Sequence, residues 1–170
     1  MAAALQESVL AQLFGDARTH RHWLAADVSD AQLHALYDLL KWAPTSANSC
    51  PARFIFVKSA QGKAKLKSCL SASNIQQTMD APVTVIVAHD LAFYEQLPQL
   101  YPREDARAWF AGAPAEKNAR TCLQNASLQA GYLLMAARSL GLDCGPMGGF
   151  NPAAVDAAFL AGTTWRSNIL

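Results

Sequence analysis

A glycine-rich segment near the C-terminal end is the strongest constraint on the fold. Residues 141–150, GLDCGPMGGF, contain four glycines and one proline and follow the longest helical stretch of the chain. Gly148 and Gly149 lack a Cβ atom, so a flat ligand can lie directly against the main chain, and Pro146 stiffens a loop with free N–H donors. We call this segment the glycine loop. It is either a wall for a planar ligand or a helix cap followed by a turn.

The composition describes a weakly charged chain that is long enough for one buried core. Of the 170 residues, 52% are apolar and 16% are charged, and the net charge is +1. A chain without a basic block is not typical of nucleic-acid binding, and its apolar runs are too short to span a bilayer. The N-terminus lacks the features of a signal peptide. We therefore expect a cytoplasmic protein with no nucleic-acid or membrane partner and with a large subunit interface.

The motifs of several enzyme classes are absent from the sequence. The four cysteines are scattered, with no CxxC pair and no histidine at zinc-ligand spacing, so we expect reduced thiols and no metal site. GxSxG, HExxH, P-loop and GxGxxG motifs are also missing. No acid–base pair stands out as catalytic. This pattern is compatible with hydride transfer, in which a cofactor supplies the chemistry.

Hydrophobic periodicity predicts long helices with a few short strands between them. Ser29 and Gln32 form a capping box before a helix, and Asn151 with Pro152 begins another. Strands are expected over residues 53–58 and 83–88 and from residue 167, and a long helix over 114–140. This order indicates the α+β class, with helices packed on a small sheet. The apolar stripe expected on the long helix consists of Leu123, Ala126, Ser127, Ala130, Leu133, Leu134 and Ala137.

Three polar segments carry donors and acceptors that suit a phosphorylated planar ligand. Residues 18–21, RTHR, combine the guanidinium groups of two arginines with short hydrogen-bond donors, and both kinds of group bind phosphate. Residues 44–48, PTSAN, and the amide of Asn74 suit the carbonyls and imide edge of an isoalloxazine ring. Each segment alone also fits an ordinary solvated loop, turn or cap. We call the first two the Arg18 segment and the Pro44 loop.

Taken together and in this order, these segments resemble the FMN-dependent nitroreductase family. Within it, the chain is most similar to the branch that contains the Rut-type malonic semialdehyde reductase of pyrimidine breakdown. The departure is Cys50-Pro51-Ala52, where many nitroreductases have Gln-Pro-Trp, which opens the pocket. The matching strings are residues 17–20, 41–42, 44–48, 51–53, 81–84, 93–95, 105–107, 109–110, 141–143, 145–147 and 167–168.

The resemblance implies a nitroreductase-like fold with a central mixed sheet flanked by helices. It also implies an intertwined homodimer with FMN at the interface and a single domain over residues 1–170. We expect this domain to be followed by a further C-terminal strand and tail. Several cofactor contacts would come from the other subunit. The implied FMN-binding residues are Arg18, Thr19, His20, Pro44, Thr45, Ser46, Asn48, Asn74, Pro146, Met147, Gly148 and Gly149.

The activity that the resemblance implies is a ping-pong NAD(P)H oxidoreductase with hydride transfer through flavin N5. NADH or NADPH is the donor, and the acceptor is malonic semialdehyde, which becomes 3-hydroxypropionate. Arg53 and Arg107 are candidates to orient the substrate carboxylate. A generic nitro or quinone reductase with the same cofactor is the nearest alternative. A non-catalytic flavin-binding dimer is another.

Overall fold

A computed structural model describes residues 3–170, so residues 1 and 2 of the expected domain lie outside the described part. Within it, no helix is both long and apolar enough to cross a bilayer. The helices are α1 Glu7–Leu10, continued by a π-helical turn over Ala11–Gly15, α2 Asp30–Leu40, α3 Ala60–Lys67, α4 Ala72–Asp80, α5 Leu97–Leu100, α6 Ala108–Ala111, α7 Ala115–Ser139 and α8 Pro152–Phe159. The strands are β1 Ala52–Val57, β2 Thr84–Asp90 and β3 Trp165–Ile169, and 3₁₀ turns cover Ser46–Asn48 and Phe93–Gln96.

The sheet has the order β1-β2-β3, with β2 in the centre. Both pairings are antiparallel: Ala52 lies opposite His89, and Asp90 lies opposite Trp165. The α+β class is confirmed, but the expected mixed sheet is wrong for the described strands. The apolar run in β2 is buried because this strand is covered on both faces and paired along both edges. A continuous apolar run does not reveal whether its neighbours are parallel.

Local helix signals in the sequence are confirmed by the structure. The Ser29 Oγ accepts a hydrogen bond from the Gln32 N–H at 3.2 Å, and the Gln32 Oε1 accepts one from the Ser29 N–H at 2.9 Å. The Asn151 side chain accepts from the Ala154 N–H at 3.1 Å. Each cap satisfies N–H groups that the helix itself leaves without acceptors.

The buried face of α7 differs from the apolar stripe predicted for it. Leu123 is 42% exposed, and Ser127 is also exposed. Three buried amides face inward instead and bond to the backbone of other segments. The Asn125 Oδ1 accepts from the Ser46 N–H at 2.7 Å, and the Gln129 Oε1 accepts from the Ala52 N–H at 2.8 Å. The third amide donates from Asn118 Nδ2 to the Phe110 carbonyl at 2.9 Å. Periodicity counts apolar residues only, so it missed an inner face that is partly polar.

A buried lysine joins α3, α4 and β2. Lys63 is 5% exposed, and its Nζ donates to the Thr78 carbonyl at 2.6 Å, the Ala81 carbonyl at 2.7 Å and the Thr84 Oγ1 at 2.8 Å. Burial lowers the pKa of this ammonium group from 10.5 to about 8, while Asp80 opposes the shift. The three acceptors use all three donors of the charged group.

The lowered pKa predicts that the contribution of Lys63 to stability depends on pH. Between about pH 8 and 10.5 the unfolded chain binds more protons at Lys63 than the folded chain, so the free energy of unfolding rises with pH. We therefore expect the free energy of unfolding of wild type to rise relative to that of Lys63→Met over this window, by about 3 kcal/mol at most. Urea unfolding of both proteins at pH 7.5 and 10.5 measures it. A pH-independent difference would contradict the buried, depressed titration.

Candidate functional site

Asn74 holds the glycine loop against α4. Its Nδ2 donates to the Gly149 carbonyl at 2.9 Å, and the Ser71 N–H donates to the same oxygen at 3.0 Å. A Cβ atom at Gly149 would collide with the Asn74 Nδ2, so only glycine permits this approach. The Asn74 Oδ1 accepts from the Gln77 Nε2 at 2.8 Å. Both polar ends of the Asn74 amide are thus engaged within the chain, and its evident role is to support the loop.

Met147 fixes the centre of the glycine loop between α4 and the end of β3. Its N–H donates to the Leu170 carbonyl at 2.9 Å, and its carbonyl accepts from the Leu170 N–H at 3.1 Å. The Met147 Sδ accepts from the Gln77 Nε2 at 3.5 Å and lies 3.5 Å from the Thr78 Oγ1, which donates to the Asn74 carbonyl at 2.7 Å. The residue that follows, Gly148, is exposed and has no atom near the position of a Cβ. The loop therefore presents backbone to open space at this point.

The N–H groups of Gly148 and Gly149 have no acceptor within residues 3–170. Backbone donors without partners are costly when they are shielded from water, and they are available to a ligand when they face a site. Two successive free donors beside a glycine with open space around it match the requirements of a flat ligand with acceptors along its edge.

The Arg18 segment lies directly against the glycine loop. Thr19 forms a parallel bridge with Cys144, and the His20 N–H donates to the Cys144 carbonyl at 3.1 Å. A Cβ at Gly145 would collide with the His20 carbonyl oxygen, so the close contact again depends on a glycine. The Arg18 Nη1 donates to two carbonyls of its own turn, Gly15 and Ala17, both at 2.8 Å. The Arg18 side chain is exposed, and the next residue, Thr19, is the one that pairs with the glycine loop.

His20 also contacts the first part of the glycine loop through its side chain. Its Nε2 lies 3.5 Å from the Asp143 Oδ1, and both side chains are largely exposed. The structure thus brings together one group of predicted residues: Arg18, Thr19, His20, Asn74, Pro146, Met147, Gly148 and Gly149.

The Pro44 loop lies elsewhere, at the end of the sheet where β1 begins. Its Ser46 N–H is bound by Asn125 of α7, and the Asn48 Nδ2 donates to the Leu100 carbonyl at 2.9 Å. The Thr45 Oγ1 accepts from the Cys50 N–H at 3.1 Å. Within residues 3–170, no hydrogen bond joins this loop to the Arg18 segment, Asn74 or the glycine loop. The predicted residues therefore form two separate groups in one chain.

The Pro44 loop carries concentrated backbone strain. Ala47 and Asn48 have φ of 50°, and Cys50 has φ of 39°. The left-handed region is unfavourable for residues with a Cβ atom, and it costs about 1–3 kcal/mol where it occurs. Three such residues within four positions indicate a conformation that surrounding contacts impose.

Both predicted substrate arginines pair with carboxylates of the same chain. The Arg53 Nη2 lies 2.8 Å from the Asp90 Oδ2 in a partly buried pair, and Thr164 and the Ala92 N–H also bond to Asp90. Arg53 is thus paired with a carboxylate of its own chain, and its role in binding a substrate stays a prediction. Arg107 forms two bonds with Glu95, at 2.8 and 2.9 Å, on the surface. Because this pair is exposed, another carboxylate can replace that of Glu95 at little cost in free energy.

A largely apolar cavity of about 390 Å³ lies between the sheet, α2, α7 and the strap of residues 23–28. Trp23 forms part of its outer wall, and its Nε1 donates to the Gln77 carbonyl at 2.7 Å. Of the predicted site residues, only Pro146 and Met147 line it. Its walls do not suit a phosphate or a ribityl chain, because these polar groups would lose water without gaining partners. Among the described residues, no cluster of three potential metal ligands occurs.

The sequence as a whole places the chain in a known family. The model of the nitroreductase family matches residues 16–166, and the chain belongs to that family. A relative from Stutzerimonas stutzeri (strain A1501), named "Putative NADH dehydrogenase/NAD(P)H nitroreductase", is 57% identical over all of this chain and 86% of its own length. A relative of the same kind from Burkholderia lata is 58% identical over 98% of this chain and 85% of its own length.

Solved structures share the fold at low sequence identity. A nitroreductase family protein from Streptococcus pneumoniae TIGR4 has a TM-score of 0.81 at 21% identity, covering 95% of this chain and 86% of its own. A "putative nitroreductase in complex with FMN" from Exiguobacterium sibiricum 255-15 has a TM-score of 0.82 at 21% identity, covering 99% and 89%. These similarities confirm the nitroreductase-like fold.

Several residues that shape the site were not singled out from the sequence. Gln77 bonds to the side chains of Asn74 and Met147, and its carbonyl accepts from the Trp23 indole. Lys63 and Asn125 bind backbone from distant segments. Gln77 lies three residues after Asn74, a spacing that puts both on one helical face, so their contact could be predicted from the sequence. Nothing local distinguishes Lys63 or Asn125 from surface residues.

The two adjacent glycines of the loop provide a matched pair of variants. In Gly149→Ala the new methyl group collides with the Asn74 amide, and we expect a loss of about 1–3 kcal/mol in unfolding free energy. In Gly148→Ala it meets nothing, and we expect a change within about 0.5 kcal/mol. Urea unfolding of the cofactor-free proteins measures both values. Equal effects of the two substitutions would show that the close approach at Gly149 is not what holds the loop.

Proposed function

We propose that this chain is an FMN-dependent NAD(P)H oxidoreductase. The observation that carries the proposal is the pair of free N–H groups at Gly148 and Gly149, beside a glycine with open space around it and next to the Arg18 segment. A phosphorylated planar ligand needs donors for its ring edge and cationic or short polar groups for its phosphate. Both sets lie in one part of the molecule.

The residues of this site would each hold a different part of FMN. The guanidinium of Arg18, the hydroxyl of Thr19 and the backbone near His20 would bind the phosphate. The backbone of Gly148 and Gly149 would lie against the ring and donate to its acceptors. When bound, FMN supplies the two-electron chemistry that no side chain of this protein provides. The chain itself binds, orients and shields the ring.

We further propose that the working molecule is a homodimer in which a second copy supplies the Pro44 loop. The hydroxyls of Thr45 and Ser46 and the amide of Asn48 would then complete the site next to the partner's glycine loop. Two observations support this arrangement. Within residues 3–170 no hydrogen bond joins the Pro44 loop to the glycine loop of its own chain, and α7 exposes large apolar side chains at Leu128, 53% exposed, and Tyr132, 44% exposed. Apolar surface of this kind is typical of a subunit interface.

For the acceptor we propose malonic semialdehyde, which would be reduced to 3-hydroxypropionate. The proposal rests on the sequence strings shared with that branch of the family. Arg107 is the better candidate to orient the carboxylate, because its partner Glu95 is exposed and can be exchanged for a substrate. A broader nitro or quinone reductase activity is the second candidate, and the names of the 57% and 58% identical relatives favour it.

The two activities differ in the effect of Arg107→Ala. With FMN-loaded protein and NADH or NADPH, we expect this variant to raise the KM for malonic semialdehyde by about tenfold, because a charge-assisted contact is lost. The KM for menadione, which has no carboxylate, should be unchanged. Initial rates of NAD(P)H oxidation measure both. If wild type reduces menadione and nitrofurazone but not the semialdehyde, the second candidate is correct. A protein that FMN cannot reconstitute would refute both.

The shared site predicts complementation between variants of the two groups. Gly148→Val places bulk in the open space at the glycine loop, and Ser46→Trp blocks the Pro44 loop, so each homodimer should bind little FMN. Heterodimers formed by co-refolding would contain one intact site, giving about a quarter of the wild-type FMN content for an equal mixture. Flavin absorbance after gel filtration measures it. If the mixture binds no more FMN than either variant alone, the proposal that each site combines groups from two subunits is wrong.

A further inference from the structure

Lys63 anchors the end of α4 through atoms that belong to other elements. Its ammonium group, on α3, donates to the carbonyls of Thr78 and Ala81 at the end of α4 and to the hydroxyl of Thr84 at the start of β2. The last carbonyls of a helix have no partner within the helix, and a cation there also complements the helix dipole. One buried side chain thus ties α3, the C-terminal end of α4 and the sheet together.

The helix α4 is short and has weak local stabilisation at its N-terminus, so its contacts with other elements help to hold it. The helix has nine residues, and its N-cap Ser71 makes no side-chain capping bond. A helix of this length has little stability outside its tertiary contacts. Lys63 supplies buried, charge-assisted bonds at one end of α4, where Pro82 follows and cannot donate a backbone bond.

The anchor is connected directly to the glycine loop through Thr78. Its carbonyl accepts from Lys63, and its hydroxyl, which donates to the Asn74 carbonyl at 2.7 Å, lies 3.5 Å from the Met147 Sδ. One turn earlier, Asn74 bonds to the Gly149 carbonyl. A shift of α4 along its axis would break both contacts with the loop at once. The backbone of Gly148, between these two contact points, would then lose its position.

We propose that Lys63 is a positioning residue for cofactor binding. It holds α4 in the register that places the free N–H groups of Gly148 and Gly149 where a flat ring can meet them. This role rests on the proposed FMN function. Lys63 does not touch the cofactor, since it is buried behind α4 and all three of its donors are engaged within the chain.

Lys63→Met removes the anchor and keeps much of the side-chain volume, and Lys67→Met is the matched control on the exposed face of the same helix. Leu160→Ala, at a buried residue outside the core clusters that pack against either candidate group, is the control for general destabilisation. We expect Lys63→Met to raise the FMN Kd by at least about tenfold, as loss of a supporting contact typically does. Flavin fluorescence quenching measures the Kd, and both controls should stay near the wild-type value.

A second readout tests the same role without cofactor. The Trp23 indole N–H bonds to the Gln77 carbonyl on α4, and the Ser71 N–H bonds to Gly149, so both report the register of α4 against the loop. In the cofactor-free protein we expect a shifted Trp23 indole resonance and faster exchange of the Ser71 amide in Lys63→Met alone. The Trp23 resonance is assigned with Trp23→Phe.

The outcomes separate this inference from the proposed function. If Lys63→Met is destabilised like Leu160→Ala but keeps the wild-type FMN Kd and both cofactor-free signals, Lys63 only stabilises the fold and the inference is wrong. If wild type itself binds no FMN, the proposed function fails, and unchanged cofactor-free signals would still refute the positioning role. Should Lys63→Met not fold, Lys63→Gln, which keeps two donors, is measured in the same way and should give an intermediate Kd.

Discussion

The close approach of the Asn74 amide to the backbone of Gly149 is the contact on which the site depends. It is possible only because Gly149 has no Cβ atom. The bond fixes one end of the glycine loop to α4, and Met147 fixes its centre to α4 and to the residue after β3. Because the loop is held at both points, the N–H groups between them can stay without an acceptor in the described chain. They are then available to water or to a ligand. Rigid support and open donors are thus consequences of the same few contacts.

The sheet keeps the two groups of candidate residues apart within one chain. The Pro44 loop leads into Ala52 at the start of β1, whereas the glycine loop pairs through Met147 with Leu170, directly after β3. Because β2 lies between β1 and β3, these two edge strands are about 10 Å apart at roughly 4.8 Å between neighbouring strands. In the proposed homodimer, a second copy related by two-fold symmetry would bring both groups to one ligand and create two equal sites from two half sites.

Hydrogen bonds between residues close in sequence could be predicted from the sequence, whereas pairs between distant residues could not. The capping box at Ser29 and the Asn151 cap depend on residues three positions apart, so their sequence spacing determines the bond. The ion pair of Arg53 is an example of a contact that could not be predicted in this way. Its pairing with Asp90, 37 positions away, follows from the antiparallel register of β1 and β2, which no local pattern reveals. The same is true of α7, where Asn125 and Gln129 turn inward because loop and strand backbone needs acceptors there. A polar residue in a helix gives no sign of whether it has a buried partner.

The strain in the Pro44 loop has a structural cause and a functional implication. Asn125 binds the N–H of Ser46, and Leu100 accepts from the amide of Asn48, so the loop is held on both sides of Ala47. With its ends fixed, the chain must turn sharply between them, and the left-handed conformations at Ala47, Asn48 and Cys50 are the result. Glycine at these positions would relieve the strain, but it would also remove the side chain at Asn48, which makes one of the two holding bonds. The loop therefore keeps an unfavourable backbone in exchange for a fixed set of polar groups. The bonds to Asn125, Leu100 and Cys50 hold this set in one arrangement, and the proposed homodimer would present that arrangement to the glycine loop of the second subunit.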